Sequence, residues 1–409
     1  MNTIYLDHNA TTPTRPEVVE AMARCYAAGY ANPASQHQPG QRAHRVLEDA
    51  RERIAAIIGA DLTCPQADRL IFTGGGTEAN NLAVLGIAPS GGARRTDSKY
   101  VPQNSKSSPP QQYMEGLGQI IISAVEHQSV IEPAEHLLEQ GWRLDTLSVT
   151  PDGVVRPENL PPLVGEQTRL VSVIWGNHET GVIQPIAQLA QICNVAGVFF
   201  HTDAVQTVGK IPVDFRSTGA AAMSMAAHKF QGPLGIGALI LRHDVPIAPI
   251  QFGGHHQFGI RPGTESVALA VGMLTALELW QNEQDSHRNN MESLHRRFED
   301  GLKSAMPRII IHCASADRLP QTSNIAFPGL DAQVLLLALD VAGVACSVGS
   351  ACSSGSTELS PTLRAMGLPN EIVASSLRFS LGWTTTQAEI DEALFRIIRV
   401  CSEIRNPTY

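Results

Sequence analysis

The chain has 409 residues, 43% of them hydrophobic and 17% charged, which predicts about two or three domains and excludes a mainly disordered protein. Its net charge of −9 argues against binding to nucleic acid or to an acidic membrane surface. The longest apolar stretch, residues 334–346, is too short to cross a membrane, and residues 1–13 lack the apolar core of a secretion signal.

The N-terminal region predicts a short strand at residues 4–6 and two amphipathic helices. The first helix covers residues 14–29, where Thr14 and Glu17 have the spacing of a capping box. The second covers residues 41–58 and ends before Gly59.

Short strands rich in β-branched residues then alternate with helical patterns, which is typical of a mainly parallel sheet covered by helices on both faces. The sequence therefore predicts an α/β fold whose large domain, residues 14–262, contains a mainly parallel seven-stranded sheet. The predicted strands are 69–73, 119–123, 143–149, 169–175, 198–202, 221–226 and 236–241, and the helices between them are 78–87, 129–139, 158–164 and 186–195.

Two stretches interrupt this alternation. Residues 89–118 are rich in Ser, Pro, Gln and Gly and almost free of aliphatic side chains, which predicts a mobile insertion. A long helix is predicted from just after Gly263 to about Met306. Residues 1–13 and 263–409 are assigned to a smaller α+β domain. Its other predicted elements are strands at 309–313, 324–327, 344–348 and 377–381 and helices at 332–341 and 386–405.

Lys229 lies in the segment Ser224–Gly237 (SMAAHKFQGPLGIG), between an apolar strand and a glycine-rich turn. Burial at such a position lowers the pKa of a lysine and makes its amine a nucleophile towards carbonyl groups. A solvated loop lysine is the alternative interpretation of this residue on its own.

Two further motifs follow predicted strands. Asp203, in HTDAVQ, comes at the carboxyl end of a strand, where open α/β sheets bind ligands, although a helix cap is an equal interpretation. The segment Phe72–Asn80 (FTGGGTEAN) places three glycines between a strand and a helix, so its backbone N–H groups can hold a phosphate. A phosphate cradle, an acid for a protonated ring nitrogen and a nucleophilic lysine together are what pyridoxal phosphate requires.

His127 and Cys352 complete the set of candidate residues. His127, in VEHQSV, follows another strand end and can stack on a cofactor ring and move protons, although a lone histidine is more often structural. The seven cysteines contain no CxxC pair, which predicts reduced thiols in a cytoplasmic protein and neither disulfides nor a zinc site. Cys352 lies in a loop of small residues, ACSVGSACSSG, where a thiol is accessible, whereas Cys346 is predicted to lie in the core.

These motifs, in this order, resemble those of cysteine desulfurases of the nitrogen-fixation and iron–sulfur-cluster type, in the fold-type I pyridoxal-phosphate superfamily. Further matching stretches are YLDHNATTP, NPAS, GNHETGVIQPI, RPGTES and SSLRFSLGW. The resemblance covers nearly the whole chain and is interrupted mainly by residues 89–118. It implies a homodimer that removes sulfur from L-cysteine, leaves L-alanine and passes the sulfur to an acceptor or cluster-scaffold protein.

The resemblance also implies a role for each cofactor contact. Lys229 would attach the cofactor covalently and shuttle protons, Asp203 would keep its ring nitrogen protonated, and His127 would stack on the ring and assist proton transfer. Gln206 and His178 would lie near the ring hydroxyl. The phosphate contacts implied are Gly76, Thr77, His228 and, from the second subunit, Thr264.

Three residues would handle the substrate. Arg378, helped by Asn32, would hold the carboxylate of L-cysteine in a bidentate contact. Cys352 would attack the substrate sulfur and carry it away as a persulfide.

Three positions depart from the family pattern. His178 replaces a usual asparagine, Ala226 a phosphate-binding serine and Trp383 a common arginine. The loss of one of several phosphate donors costs about 0.5–1.5 kcal/mol, so cofactor binding should survive. Two alternatives remain open at this point: a selenocysteine lyase of the same fold, and an inactive cofactor-binding scaffold that docks partners.

Overall fold

The computed structural model describes residues 2–90, 117–349 and 359–405. Most of the predicted insertion 89–118 lies outside the described residues, and so does Cys352. Within the described ranges, no helix combines the length and the apolar character that crossing a membrane requires.

The described strands and helices alternate through the first two thirds of the chain. The strands are β1 (Ile4–Tyr5), β2 (Arg69–Thr73), β3 (Gln119–Ser123), β4 (Arg143–Leu147), β5 (Thr168–Ile174), β6 (Phe199–Asp203), β7 (Ala222–Ala226), β8 (Gly237–Leu241), β9 (Ile310–Ile311), β10 (Thr322–Ala326), β11 (Val344–Ala345) and β12 (Ser376–Ser380). The helices are α1 (Pro16–Ala27), α2 (Gln38–Ile57), α3 (Gly76–Ile87), α4 (Gln128–Glu139), α5 (Ile186–Ala196), α6 (Phe215–Thr218), α7 (Val267–Ala305), α8 (Ala332–Val341), α9 (Pro361–Ala365), α10 (Asn370–Val373) and α11 (Gln387–Arg405).

The largest sheet has seven strands in the order β2-β8-β7-β6-β5-β3-β4. Strand β8 runs opposite to the other six, which all point the same way. Alternate residues of one strand enter opposite cores: Leu239 and Leu241 pack on one face of the sheet and Ile240 on the other. Because both faces are covered, the strands are apolar throughout. The predicted α/β class with a mainly parallel seven-stranded sheet is confirmed.

A second core forms around the C-terminal elements. There β12, β10 and β9 make an antiparallel sheet, and β1 pairs with β11 in parallel. Helix α7 joins a core of the large sheet to the C-terminal core, since Met273 packs in the first and Phe298 in the second. The domain boundaries at residues 13 and 263 stay a prediction.

Two local predictions are wrong. Residues 158–164 do not form an α-helix; they contain a 3₁₀ turn, Pro157–Asn159, because Pro161 and Pro162 lack the N–H groups that a continuing helix needs. The capping box is also absent, since α1 begins at Pro16 with Arg15 as its N-cap and no side-chain cap. Proline at the first helical position supplies the preset backbone angle instead.

Candidate active site

The carboxyl edge of the seven-stranded sheet carries an open cleft of about 600 Å³ between α3 and the 3₁₀ turn Ala227–Phe230. The first intrahelical bond of α3 runs from Ala79 N to Gly75 O, so the N–H groups of Gly76 and Thr77 have no acceptor within the helix. His228 lines the same cleft, and its Nδ1 lies 3.1 Å from Thr11 Oγ1. Backbone N–H groups at the start of a helix, in this arrangement, can bind an anion.

Lys229 follows β7 directly, in the 3₁₀ turn that starts at the end of this strand. Its Nζ donates hydrogen bonds to the carbonyl oxygens of Asn9 (2.5 Å) and Ala10 (2.8 Å). The lysine amine is therefore held at the cleft by the N-terminal segment, and it is not a solvated loop charge.

Asp203 is buried at the carboxyl end of β6. Its carboxylate accepts hydrogen bonds from Asn80 Nδ2 (2.7 Å) and from Val205 N (2.9 Å). Burial raises the pKa of Asp203, and the charges of His127 and Lys229 and both hydrogen bonds oppose that rise. An anionic carboxylate in this position can pair with a cationic ring nitrogen.

His127 caps the N-terminus of α4, and its Nδ1 accepts the N–H of Ser129 at 3.1 Å. Its ring lies edge-on to His178, with the ring centroids 5.1 Å apart. Burial, followed by the charges of His127 and Arg378, lowers the pKa of His178 well below its ordinary value. His178 is therefore a neutral imidazole, and its Nδ1 is buried without a hydrogen-bond partner among the described residues.

Arg378 lies on β12 and is 1% exposed. Its Nη2 donates to Asp7 Oδ1 at 2.7 Å and its Nη1 to the carbonyl oxygen of His178 at 3.0 Å. The guanidinium is thus fixed between the N-terminal segment and a loop of the large sheet. The remaining N–H groups, including a buried Nε without a described partner, are available to a carboxylate.

The described residues on either side of the Cys352 loop are anchored next to Arg378 and His178. On the N-terminal side, Ser347 exchanges backbone hydrogen bonds with Arg378 (3.1 and 2.7 Å). On the C-terminal side, Ser360 Oγ donates to Glu179 Oε2 at 2.6 Å. The described segments on both sides of the loop are therefore bound to Arg378 and to Glu179, the neighbour of His178.

Three further predicted contacts with cofactor or substrate are Gln206, Thr264 and Asn32. Gln206 Nε2 donates to Asn9 O at 2.9 Å, and its buried Oε1 has no partner within the described ranges. Thr264 is exposed near Arg261, which pairs with Glu78 at the start of α3. Asn32 is exposed, and its side chain accepts the N–H of Ala34. The cofactor and substrate roles of these residues stay predictions.

Sequence reasoning missed several groups that hold the predicted site residues in place. Asp7 and Asn9 lie in the matching stretch YLDHNATTP, but nothing in its local spacing indicated that this segment contacts Lys229 and Arg378. Asn80 binds Asp203, and Glu179 binds Ser360.

The structure also shows the surroundings of the three positions that depart from the family pattern. The ring of His178 lies edge-on to that of His127, and Ala226 is the last residue of β7. Trp383 packs against His287 with ring centroids 4.3 Å apart.

Several ionisable groups beside the cleft are shifted by burial. Burial and the charge of Lys229 lower the pKa of Lys210 to about 7. Burial, Lys229 and Lys210 lower the pKa of His228 to about 4. Burial also raises the pKa of Glu126 to about 8, so this carboxyl is mostly protonated at neutral pH. Burial therefore favours the neutral forms of these three groups, of which His228 lines the cleft.

The buried histidines predict a loss of stability in mild acid. Burial lowers the pKa of His201 to about 3, below an ordinary value of about 6.5. As the pH falls below about 6.5, the unfolded chain binds a proton that the folded chain rejects, so this stability is lost progressively towards pH 3. We expect replacement of His201 by glutamine to flatten the decline in urea midpoint between about pH 7.5 and about pH 5.

The control for this measurement is His136→Gln, which changes an exposed histidine. Its pH profile should match that of the unaltered protein. An equally steep decline in the His201 variant would contradict the assignment.

The chain was compared with known proteins. The family pattern "Aminotransferase class-V" matches residues 4–104 and 106–393. A protein of Dictyoglomus turgidum named cysteine desulfurase IscS is 38% identical over 402 residues, which cover 98% of this chain and 95% of that protein. Cysteine desulfurase NifS of Azotobacter vinelandii is 32% identical over 406 residues, 99% of this chain and 94% of that protein. The X-ray structure of a NifS-like protein from Rickettsia africae has a TM-score of 0.84 at 30% identity and covers 98% of this chain and 99% of its own.

These similarities extend from β1 into α11, through the three described sheets and all the described residues that line the cleft. A match of this extent, with relatives above 30% identity along almost the whole chain, establishes the relationship. The chain belongs to the class-V aminotransferase family.

Proposed function

We propose that the protein is a pyridoxal-phosphate-dependent cysteine desulfurase, which converts L-cysteine to L-alanine and takes the sulfur onto Cys352. The observation that carries this proposal is the convergence of Lys229, Asp203 and the N-terminus of α3 at one edge of the large sheet. The full-length relatives named cysteine desulfurase support the same activity.

The donor set fits pyridoxal phosphate. Free N–H groups at Gly76 and Thr77 suit its phosphate, the Asp203 carboxylate suits its ring nitrogen, and the Lys229 amine suits its aldehyde. The unpartnered Gln206 Oε1 supplies one further polar contact. When bound, this cofactor supplies an electron sink that stabilises negative charge at the α-carbon of an amino acid.

The residues of the chain then bind the substrate and move its protons. Arg378 holds the carboxylate of L-cysteine with the N–H groups that Asp7 and His178 leave available, and Asn32 assists. Lys229, seated on two carbonyl oxygens, gives and accepts the proton at the α-carbon. His127 would hold the cofactor ring and assist proton transfer.

Cys352 carries out the sulfur transfer. Its thiolate attacks the sulfur of the bound substrate, so an S–S bond forms and the carbon–sulfur bond breaks. The electron pair of the broken bond stays on the carbon, which takes up a proton, and alanine leaves. The persulfide on Cys352 is then passed to an acceptor or cluster-scaffold protein, and a reducing, cytoplasmic setting keeps the regenerated thiol of Cys352 from being oxidised before the next turnover.

The two alternatives are less well supported. A selenocysteine lyase is not favoured, because the relatives described above are named cysteine desulfurases. An inactive scaffold would have no need for a lysine held at the cleft, a buried carboxylate and an arginine ready for a carboxylate. Neither His178 nor Ala226 removes a chemical group that the reaction needs.

We also propose that the protein works as a homodimer. Large apolar side chains are exposed beside the phosphate cleft, among them Leu234 and Phe252, the latter 89% exposed. Contiguous apolar patches mark interaction surfaces, and we infer that these side chains belong to one that a second copy of the chain covers. In the dimer, Thr264 would complete the phosphate site of the second subunit.

Cys352→Ala tests the proposed function. We expect the variant to bind pyridoxal phosphate normally, while alanine formation from L-cysteine falls at least about 100-fold because the sulfur has no acceptor thiol. Alanine is measured with and without a reducing thiol, and cofactor binding by absorbance. Cys25→Ala, which removes a half-buried thiol from α1, is the control and should keep full activity. Normal alanine formation by the Cys352 variant would overturn the assigned role.

A further inference from the structure

Asn9 lies between the seven-stranded sheet and the C-terminal sheet of β12, β10 and β9, and it is 1% exposed. Its side-chain Nδ2 donates to the carbonyl oxygen of His178 at 3.2 Å and to Thr322 Oγ1 at 2.8 Å. Its backbone N–H donates to Ser380 Oγ at 2.9 Å. One side chain therefore joins a loop of the large sheet to the first residue of β10 in the C-terminal sheet.

The contacts of Asn9 on the large-sheet side are with the cofactor-binding candidates. Its carbonyl oxygen accepts both Lys229 Nζ (2.5 Å) and Gln206 Nε2 (2.9 Å). The carbonyl oxygen of His178, which binds the Asn9 side chain, also accepts Arg378 Nη1 at 3.0 Å. Asn9 is thus one hydrogen bond away from Lys229 and shares an acceptor with Arg378.

The contacts on the C-terminal side fix the strand that carries Arg378. Thr322 and Ser380 face each other as a cross-strand pair of β10 and β12, and Asn9 binds both. Arg378 is two residues before Ser380 on β12, so both side chains emerge on the same face of the strand. Any movement of this pair relative to Asn9 would move Arg378 relative to Lys229.

We propose that Asn9 is a positioning residue whose side chain sets the distance between the amine of Lys229 and the guanidinium of Arg378. This inference rests on the proposed function, in which the first group handles the α-carbon and the second the carboxylate of the same amino acid. Because both groups must meet one small substrate, a displacement of about 1 Å between them costs on the order of 100-fold in rate.

The test uses Asn9→Ala and Thr322→Val in the full-length holoenzyme. Asn9→Ala keeps the backbone carbonyl that seats Lys229 and removes only the side-chain link. We expect normal covalent attachment of pyridoxal phosphate and a kcat/KM for L-cysteine lowered on the order of 100-fold. A rise of about 10-fold or more in KM contributes to this fall, and the Kd of L-alanine should rise to match. Thr322→Val removes one of the two acceptors and should shift both constants in the same direction by less.

A merely structural role would lower the yield of folded enzyme or its Tm and leave the KM of the remaining sites unchanged. The control is Asn194→Ala, which removes a side chain of α5 whose Nδ2 donates to Gly219 O. This variant should change neither the KM for L-cysteine nor the Kd of L-alanine. If Asn9→Ala does not fold, Thr322→Val decides the question alone. Constants within about twofold of the unaltered enzyme in the folded variants would overturn the inference. Failure of the unaltered enzyme to form alanine would overturn the proposed function, and the inference with it.

Discussion

Replacement of Lys229 by alanine is expected to abolish covalent attachment of pyridoxal phosphate and to lower alanine formation by about 10³-fold or more. The reason is that the same amine serves as the attachment point and as the proton carrier at the α-carbon. In the structure this amine is held by the carbonyl oxygens of Asn9 and Ala10, at the end of β7. Attachment is measured by borohydride reduction followed by peptide mass analysis.

Two comparisons make this result specific. Lys303→Ala changes an exposed lysine of α7 and should leave attachment and rate unaltered. Lys210 is a buried amine whose charge interacts with that of Lys229, and its pKa of about 7 makes it partly neutral at physiological pH. Recovery of the reduced cofactor on Lys210 in the unaltered protein would contradict the assignment to Lys229.

Asp203→Asn is expected to produce the second-largest effect, a fall of about 10²–10³-fold in the rate of alanine formation. Asparagine matches the shape of aspartate but has one acceptor oxygen, so it keeps the hydrogen bond from Asn80 or from Val205 and not both. It also carries no charge to keep a ring nitrogen protonated. The affinity for pyridoxal phosphate should fall as well, by about 10-fold or more, because a buried ion pair is lost.

The pH dependence of cofactor affinity separates this charge effect from a packing defect. Burial raises the pKa of Asp203, so in the unaltered protein the carboxylate becomes neutral at a higher pH than an exposed aspartate would. Cofactor affinity should therefore fall as the pH is lowered through that raised pKa, whereas the Asp203→Asn variant should show no such dependence. The surface variant Asp152→Asn is the control. A rate within about threefold of the unaltered enzyme in Asp203→Asn would contradict the proposed role.

Local residue patterns were sufficient for most of the fold. The strands near Arg69–Thr73 and Gln119–Ser123 are bounded as predicted, because a short apolar run with turn residues at both ends has few alternatives. The helix predicted at residues 158–164 is wrong because two prolines interrupt the helical spacing of its apolar residues.

The sequence by itself also determined which chemistry-bearing residues follow which strands: Lys229 after β7, Asp203 at the end of β6 and the glycines after β2. Parallel strands place their carboxyl ends at one edge, so these residues could be expected to meet.

Only the tertiary structure decided how the N-terminal segment completes the site. Asp7 pairs with Arg378, 371 residues away in the chain, and Asn9 contacts Thr322 and Lys229, which are 313 and 220 residues away. Contacts of this kind leave no local pattern, because each partner is a common residue whose significance comes from the element it meets after folding. Burial likewise decided which of the ionisable groups are neutral, since the same histidines and carboxyls would carry ordinary pKa values in an exposed loop.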